Sequence, residues 1–131
     1  MLRRRFLFNV PFLLGIQTLN AEKLKSKKSL IVHHVLFWLK DPTSEADKVK
    51  LLEMLRPLKK IEFHRTLIGV PVKTLSSEGG DSSYQVSLVT YFDDDKGRIA
   101  YETHPDHQAF IRESSHLWQK RVTNDTVCEL P

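Results

Sequence analysis

Tyrosine and histidine residues cluster at one point of this sequence. Tyr101, His104 and His107 are spaced three residues apart, and Pro105 follows His104. If the segment is helical, Tyr101 lies near His104 on one face, and His104 lies near His107. Histidine can accept a proton near neutral pH, and a tyrosine hydroxyl can donate to a developing oxyanion. The segment is therefore a candidate for acid–base chemistry.

The same residues also have a structural interpretation. A histidine before proline can cap the helix that the proline begins, and a tyrosine can belong to the core with its hydroxyl at the edge. Spacing alone leaves catalysis and structure open as alternatives. The single cysteine, Cys128, lies four residues from the end and is an unpromising nucleophile. One cysteine also excludes an internal disulfide and a multi-cysteine zinc site.

A metal site is a third interpretation of the histidines. Nitrogen ligands would come from His34, His104 and His107, and a carboxylate from the run at residues 93–95. No HExxH or CxxC spacing supports such a site, and an acidic run is typical of a solvated strand end. We therefore predict neither a metal nor a cofactor.

Two adjacent histidines, His33 and His34, lie in an apolar run over residues 30–39 that predicts a buried strand. Side chains alternate between the two faces of a strand. One of the two histidines therefore faces the core or a cavity, and the other points away from it.

The remaining elements follow from capping residues, periodicity and turn residues. An apolar stripe predicts a helix over residues 44–60, which Pro57 must kink or shorten. Further predictions are strands over 63–72, 84–92 and 122–130, a loop over 73–83, and helices over 97–103 and 105–121. The order β-α-β-β-α-β predicts an α+β domain with one open antiparallel sheet and helices on one face. Strand 84–92 is half apolar on both faces, which favours a second subunit as cover.

Length and charge exclude several classes of protein. A chain of 131 residues makes one domain. The net charge of +4 belongs to the N-terminal tail, because residues 29–131 contain 13 Lys and Arg against 15 Asp and Glu. This part lacks the cationic excess that drives phosphate binding, so we expect no nucleic-acid partner.

The N-terminal residues are typical of an export signal. Three arginines precede an apolar stretch over residues 6–16, and residues 17–21 form a possible cleavage region. The order of the arginines, Phe6 and Leu7 also resembles a twin-arginine signal. We predict a signal over 1–21, a basic linker over 22–28 and a domain over 29–131. No apolar run of 18 residues predicts a stable membrane span. The expected location is periplasmic or secreted, or cytoplasmic if the N-terminus is not a signal.

Taken together, these motifs resemble the stress-responsive dimeric α/β-barrel (Dabb) family. The resemblance covers about residues 30–130. It depends on Ile31–Phe37 of the first strand, on Gly69, on strand 84–92 and, most specifically, on the YxxHPxH stretch over residues 101–107.

The resemblance implies a ferredoxin-like subunit that pairs with a second copy to close a barrel. Each subunit has a cavity for a small, largely apolar molecule. In a plant relative that cyclises a polyketide without a cofactor, the catalytic tyrosine and histidine match Tyr101 and His107. His34 matches the family's cavity-lining histidine of the first strand, and His104 matches the histidine that shapes the turn. The additional N-terminal residues, His33 and the long loop depart from the family pattern.

The resulting functional prediction is a homodimer that binds a small apolar or aromatic molecule, with His34 and His104 as binding residues and no assigned activity. The alternative is a cofactor-independent lyase or cyclase. In that alternative, His107 is the general base and Tyr101 stabilises the oxyanion.

Overall fold

A computed structural model describes residues 28–62, 64–73 and 79–131. The predicted export signal over 1–21, and the linker as far as residue 27, lie outside the described residues. Within the described part, no helix has both the length and the apolar character needed to cross a membrane.

The described chain forms four strands, three α-helices and one 3-10 helix. In chain order these are β1 (Ser29–Leu39), α1 (Glu45–Leu55), the 3-10 helix (Arg56–Lys60), β2 (His64–Gly69), β3 (Val86–Phe92), α2 (Asp95–Glu102), α3 (Pro105–Ser114) and β4 (Trp118–Glu129). The strands make one antiparallel sheet in the order β2-β3-β1-β4. The predicted α+β ferredoxin-like architecture is confirmed.

Strand β1 lies in the middle of the sheet and alternates strictly between its two faces. Ile31, Val35, Phe37 and Leu39 are buried on the face that the helices cover. His34 and the other residues of the opposite face are only half-buried. The apolar, β-branched and aromatic composition of β1 suits this central position, because a strand that is covered on both faces needs apolar side chains on both.

Helix α1 begins and ends where its sequence signals lie. Ser44 caps it by accepting a hydrogen bond from the backbone N–H of Asp47 at 3.1 Å. The helix ends at Leu55, and the chain continues as the 3-10 helix with Pro57 in its first turn. Proline lacks the N–H donor that an α-helix needs, so Pro57 shortens the predicted helix rather than kinking it.

The prediction of a helix over 105–121 is wrong at its C-terminal end. Helix α3 stops at Ser114, and Trp118 already pairs with Leu39 in the sheet. The backbone N–H of Lys40 donates to the carbonyl of Leu117 at 2.9 Å and begins this ladder. Leu117 is buried at the start of a strand that pairs with β1, not on a continued helix, and helical periodicity alone does not separate these two cases.

The three helices lie on one face of the sheet. On the other face, Leu67 of β2 is 45% exposed and lies across from the half-buried Val89, which in turn lies across from His34. The expectation that strand 84–92 is apolar on both faces therefore holds, and one of those faces is uncovered in a single subunit.

Candidate functional site

A cavity of about 410 Å³ lies between the sheet and helix α3. Most residues of the edge strand β4 are exposed, and its Arg121 and Thr123 lie across from Phe37 and Val35 on the helical side of the sheet. The floor and walls of the cavity are apolar side chains of β1, β3 and α3, namely Val35, Phe37, Leu88, Phe110 and Ile111. Polar groups from four elements complete the lining, namely His33, Glu102, His107, Gln108, Arg121 and Thr123.

His107 is held at the cavity wall by the end of the preceding helix. Its Nδ1 lies 3.1 Å from the backbone carbonyl of Glu102, the last residue of α2, and the side-chain amide of Gln108 donates to the same carbonyl at 2.6 Å. The last carbonyls of a helix have no intrahelical partner, and these two side chains satisfy one of them. A carbonyl only accepts hydrogen bonds, so Nδ1 of His107 carries the proton.

The protonation of His107 follows from this arrangement. Burial lowers its pKa from the ordinary value of 6.5, and the hydrogen bond to the Glu102 carbonyl opposes that shift. The nearby His33 and Arg121 lower the pKa further. At pH 7 the ring is therefore neutral, with Nδ1 protonated and Nε2 able to accept a proton.

Tyr101 packs directly against His107, although the spacing of the motif placed it beside His104 instead. The two ring centroids are 4.6 Å apart, and the ring of Tyr101 also contacts Phe92 at 5.3 Å and His33 at 5.9 Å. Tyr101 is only 1% exposed. Its hydroxyl lies beside Thr90 of β3; burial has the larger effect and raises its pKa to about 12, while Thr90 opposes that shift. Tyr101 thus stays protonated, but it lies beneath the cavity and is not part of its lining.

The histidine of β1 that lines the cavity is His33, so the assignment of His34 to this position is corrected. His33 is buried on the helical face, and its Nδ1 lies 2.5 Å from the Asp125 carboxylate on the neighbouring strand. His34 has the opposite orientation because successive strand residues alternate. The sequence established that one of the two faces inward, but the match to the family selected the wrong one.

His104 acts at the helix boundary. Its Nδ1 accepts a hydrogen bond from the backbone N–H of Asp106 at 3.1 Å and caps α3, with Pro105 as the first helical residue. It also lines a second, smaller cavity of about 320 Å³ beside Tyr101 and Ile61. His104 is therefore separate from the cavity that contains His33 and His107.

The metal ligands considered from the sequence are not brought together. Among the described residues, one group has the spacing for a cation: His33, Glu102 and Asp125, whose ligand atoms lie within 4.8 Å of one another. These residues already have protein partners, because Asp125 contacts His33 and Arg98 binds the Glu102 carboxylate at 2.8 Å. Sequence reasoning missed Asp125 and Glu102 as members of the site, and only the pairing of His33 with Asp125 across β1 and β4 reveals the former.

Comparison with known proteins identifies the family. The model of the stress responsive A/B barrel domain matches residues 31–128. This chain belongs to that family. The match covers the sheet, the three helices and the whole of the candidate site. No curated protein has a sequence that matches this chain.

Solved structures share the fold of this A/B barrel domain at low sequence identity. A Dabb family protein of Mesorhizobium loti is 22% identical with a TM-score of 0.62, covering 76% of this chain and 97% of its own. A dimeric ferredoxin-like protein of unknown function from Thermobifida fusca has the same identity and TM-score, covering 76% and 92%. The hydroxynitrile lyase of Passiflora edulis is 12% identical with a TM-score of 0.65, covering 78% and 95%. At these identities the likeness establishes the fold alone.

Proposed function

We propose that this A/B barrel domain binds a small molecule with an apolar body in the 410 Å³ cavity. The observation that carries the proposal is the composition of the cavity. Five apolar side chains form its floor and walls, and six polar residues complete its lining. Ligand sites in proteins have this combination of an apolar lining with a few polar groups that orient the ligand.

The area of the apolar wall sets the scale of the affinity. Burying about 200 Å² of apolar ligand surface contributes roughly 5 kcal/mol at about 25 cal/mol per Å². Losses of translational freedom reduce this figure, so we expect dissociation constants of about 1 mM or weaker from apolar contact alone. Calorimetry or NMR titration with an alkylbenzene-type probe is suited to this range.

A cavity-filling substitution tests the proposal. Ile111→Trp places a bulky ring at the cavity wall, and we expect it to weaken binding of 4-butylbenzamide by at least about tenfold. Ile99→Trp is the matched control, because Ile99 is 48% exposed on α2 and does not line the cavity. Equal affinity of the Ile111→Trp variant and the unmodified chain would contradict binding in this cavity.

Turnover in the same cavity is the second candidate function. It is a cofactor-independent lyase or cyclase reaction with His107 as general base and Tyr101 as oxyanion stabiliser. The neutral ring of His107, with its free Nε2, favours this candidate, since a base must be unprotonated at the working pH. For Tyr101 the role requires a rearrangement that opens the cavity to its buried hydroxyl, because Tyr101 does not line the cavity. A His107→Gln variant that binds ligand but retains full turnover would contradict the role of His107.

A homodimer and export complete the proposal. The uncovered, partly apolar sheet face supports pairing with a second copy, and the Thermobifida fusca neighbour is described as dimeric. The arginines and the apolar stretch of residues 1–21 support a cleaved export signal. Sequencing the N-terminus of the protein isolated from cell fractions tests export, and an intact Met1 confined to the cytoplasm would contradict it.

A further inference from the structure

Arg121 is a charged residue on the wall of the ligand cavity. It lies on β4 directly across from Phe37 of β1, so both side chains lie on the helical side of the sheet. Its guanidinium carbon is 5.6 Å from the centroid of the Trp118 ring, which itself packs against Phe37. Stacking on an aromatic ring holds the guanidinium beside the apolar wall while its N–H donors stay available.

The other charged groups at the cavity already have partners. The Glu102 carboxylate binds Arg98, and the Asp125 carboxylate binds His33. Within the ranges that the structure describes, no carboxylate forms an ion pair with Arg121. The cavity therefore offers one uncompensated positive charge, next to apolar surface.

We propose that the cavity selects small organic acids, with the ligand carboxylate paired to Arg121 and the apolar body lying on Phe37 and Phe110. This inference rests on the proposed ligand-binding function and specifies its ligand class. The planar guanidinium matches a carboxylate through two parallel hydrogen bonds. Gln108 and Thr123 line the same cavity and offer further polar groups to an acid held there.

The position of His107 agrees with this assignment. Arg121 is close enough to His107 to lower the pKa of that ring. A carboxylate bound to Arg121 therefore lies near the neutral imidazole. In an enzyme of the second candidate class, the acid group would hold the substrate with its reacting carbon near His107.

Two probes of equal shape and different charge test the proposal. 4-Butylbenzoic acid is ionised at pH 7, whereas 4-butylbenzamide is neutral and nearly isosteric. For the full chain we expect the acid to bind roughly threefold to tenfold more tightly by calorimetry, because Arg121 is exposed and solvent screens part of the charge-assisted pair. Arg121→Gln should remove this preference, because it weakens binding of the acid far more than binding of the amide.

Lys120→Gln is the matched control. It removes the same charge from the adjacent position, but Lys120 lies over the ring of Trp38 on the other face of the sheet. We expect this variant to keep the preference for the acid. Thermal melting of both variants checks that they fold.

Three results would overturn the inference. Equal binding of both probes by the unmodified chain would leave the cavity in place but remove its selectivity for acids. Equal loss of the preference in both variants would show that the preference depends on the overall positive charge of the protein rather than on Arg121. If neither probe binds, the proposed ligand-binding function fails, and the acid selectivity fails with it.

Discussion

Replacing Tyr101 by phenylalanine separates the structural role of its hydroxyl from a catalytic one. The ring of Tyr101 contacts three other rings, and phenylalanine preserves those contacts. The substitution removes only the buried hydroxyl, which lies beside Thr90. Thr90 keeps the hydroxyl of Thr66 at 3.3 Å, so no buried group loses every partner. We expect a loss of about 1 kcal/mol in the free energy of unfolding.

A double-mutant cycle measures the coupling between the Tyr101 and Thr90 hydroxyls directly. Urea denaturation at fixed protein concentration gives the free energy of unfolding for Tyr101→Phe, for Thr90→Val and for the double variant. We expect the double variant to be more stable than the sum of the single losses implies, by about 0.5–1.5 kcal/mol. Additivity within about 0.3 kcal/mol would refute the coupling of the two hydroxyls.

Alkaline pH gives an independent check of the same residue. Burial raises the pKa of Tyr101 from 10.0 to about 12, so the unfolded chain loses this proton at lower pH than the folded chain. The stabilising effect is complete below pH 10.0 and disappears as the pH rises to about 12. Two pKa units correspond to roughly 2–3 kcal/mol. We expect the unmodified chain to lose this much more stability over that interval than Tyr101→Phe, and parallel losses would refute the shift.

Three further predictions concern the site and the assembly. The pKa of His107, measured by NMR titration, should lie below its ordinary value. Arg121→Gln should raise this pKa, because the variant removes a nearby positive charge. An unchanged pKa would contradict the electrostatic coupling between Arg121 and His107. Asp125→Ala should lower the free energy of unfolding by about 1 kcal/mol, because the buried His33 loses its partner. The loss stays small because the carboxylate is partly exposed and water can take its place. Urea denaturation measures the loss, and unchanged stability would argue against the pair. Leu36→Lys places a charge on the uncovered sheet face and should yield monomers by light scattering. The control Val49→Lys, at an exposed position of α1, should leave the dimer intact. Dimers in both variants would mean that the interface lies elsewhere.

The elements that local chemistry specifies were predictable. Strand β1 is apolar and β-branched, α1 has a serine cap and an apolar stripe, and Pro105 begins α3. The errors occurred where residues distant in sequence decide the structure. Residues 118–121 have helical spacing, but they form a strand because β1 presents an unpaired edge to them.

The candidate site shows the same division. Tyr101 and His107 were paired by the family resemblance, whereas local spacing paired Tyr101 with His104; the rings of Tyr101 and His107 are in contact. Their proposed catalytic roles stay predictions. His33 and Asp125 come from strands about ninety residues apart, and only the antiparallel register brings them opposite each other.

The sequence by itself determined the order of elements, the family and the residues of the central motif. These depend on periodicity, capping and turn residues, which act between neighbours in the chain. The tertiary structure decided which β1 histidine faces the cavity and placed Arg121 on the cavity wall. It also buried the Tyr101 hydroxyl against Thr90. The physical reason is that strand register and the coverage of a sheet by helices arise from contacts between distant segments, which no local pattern encodes.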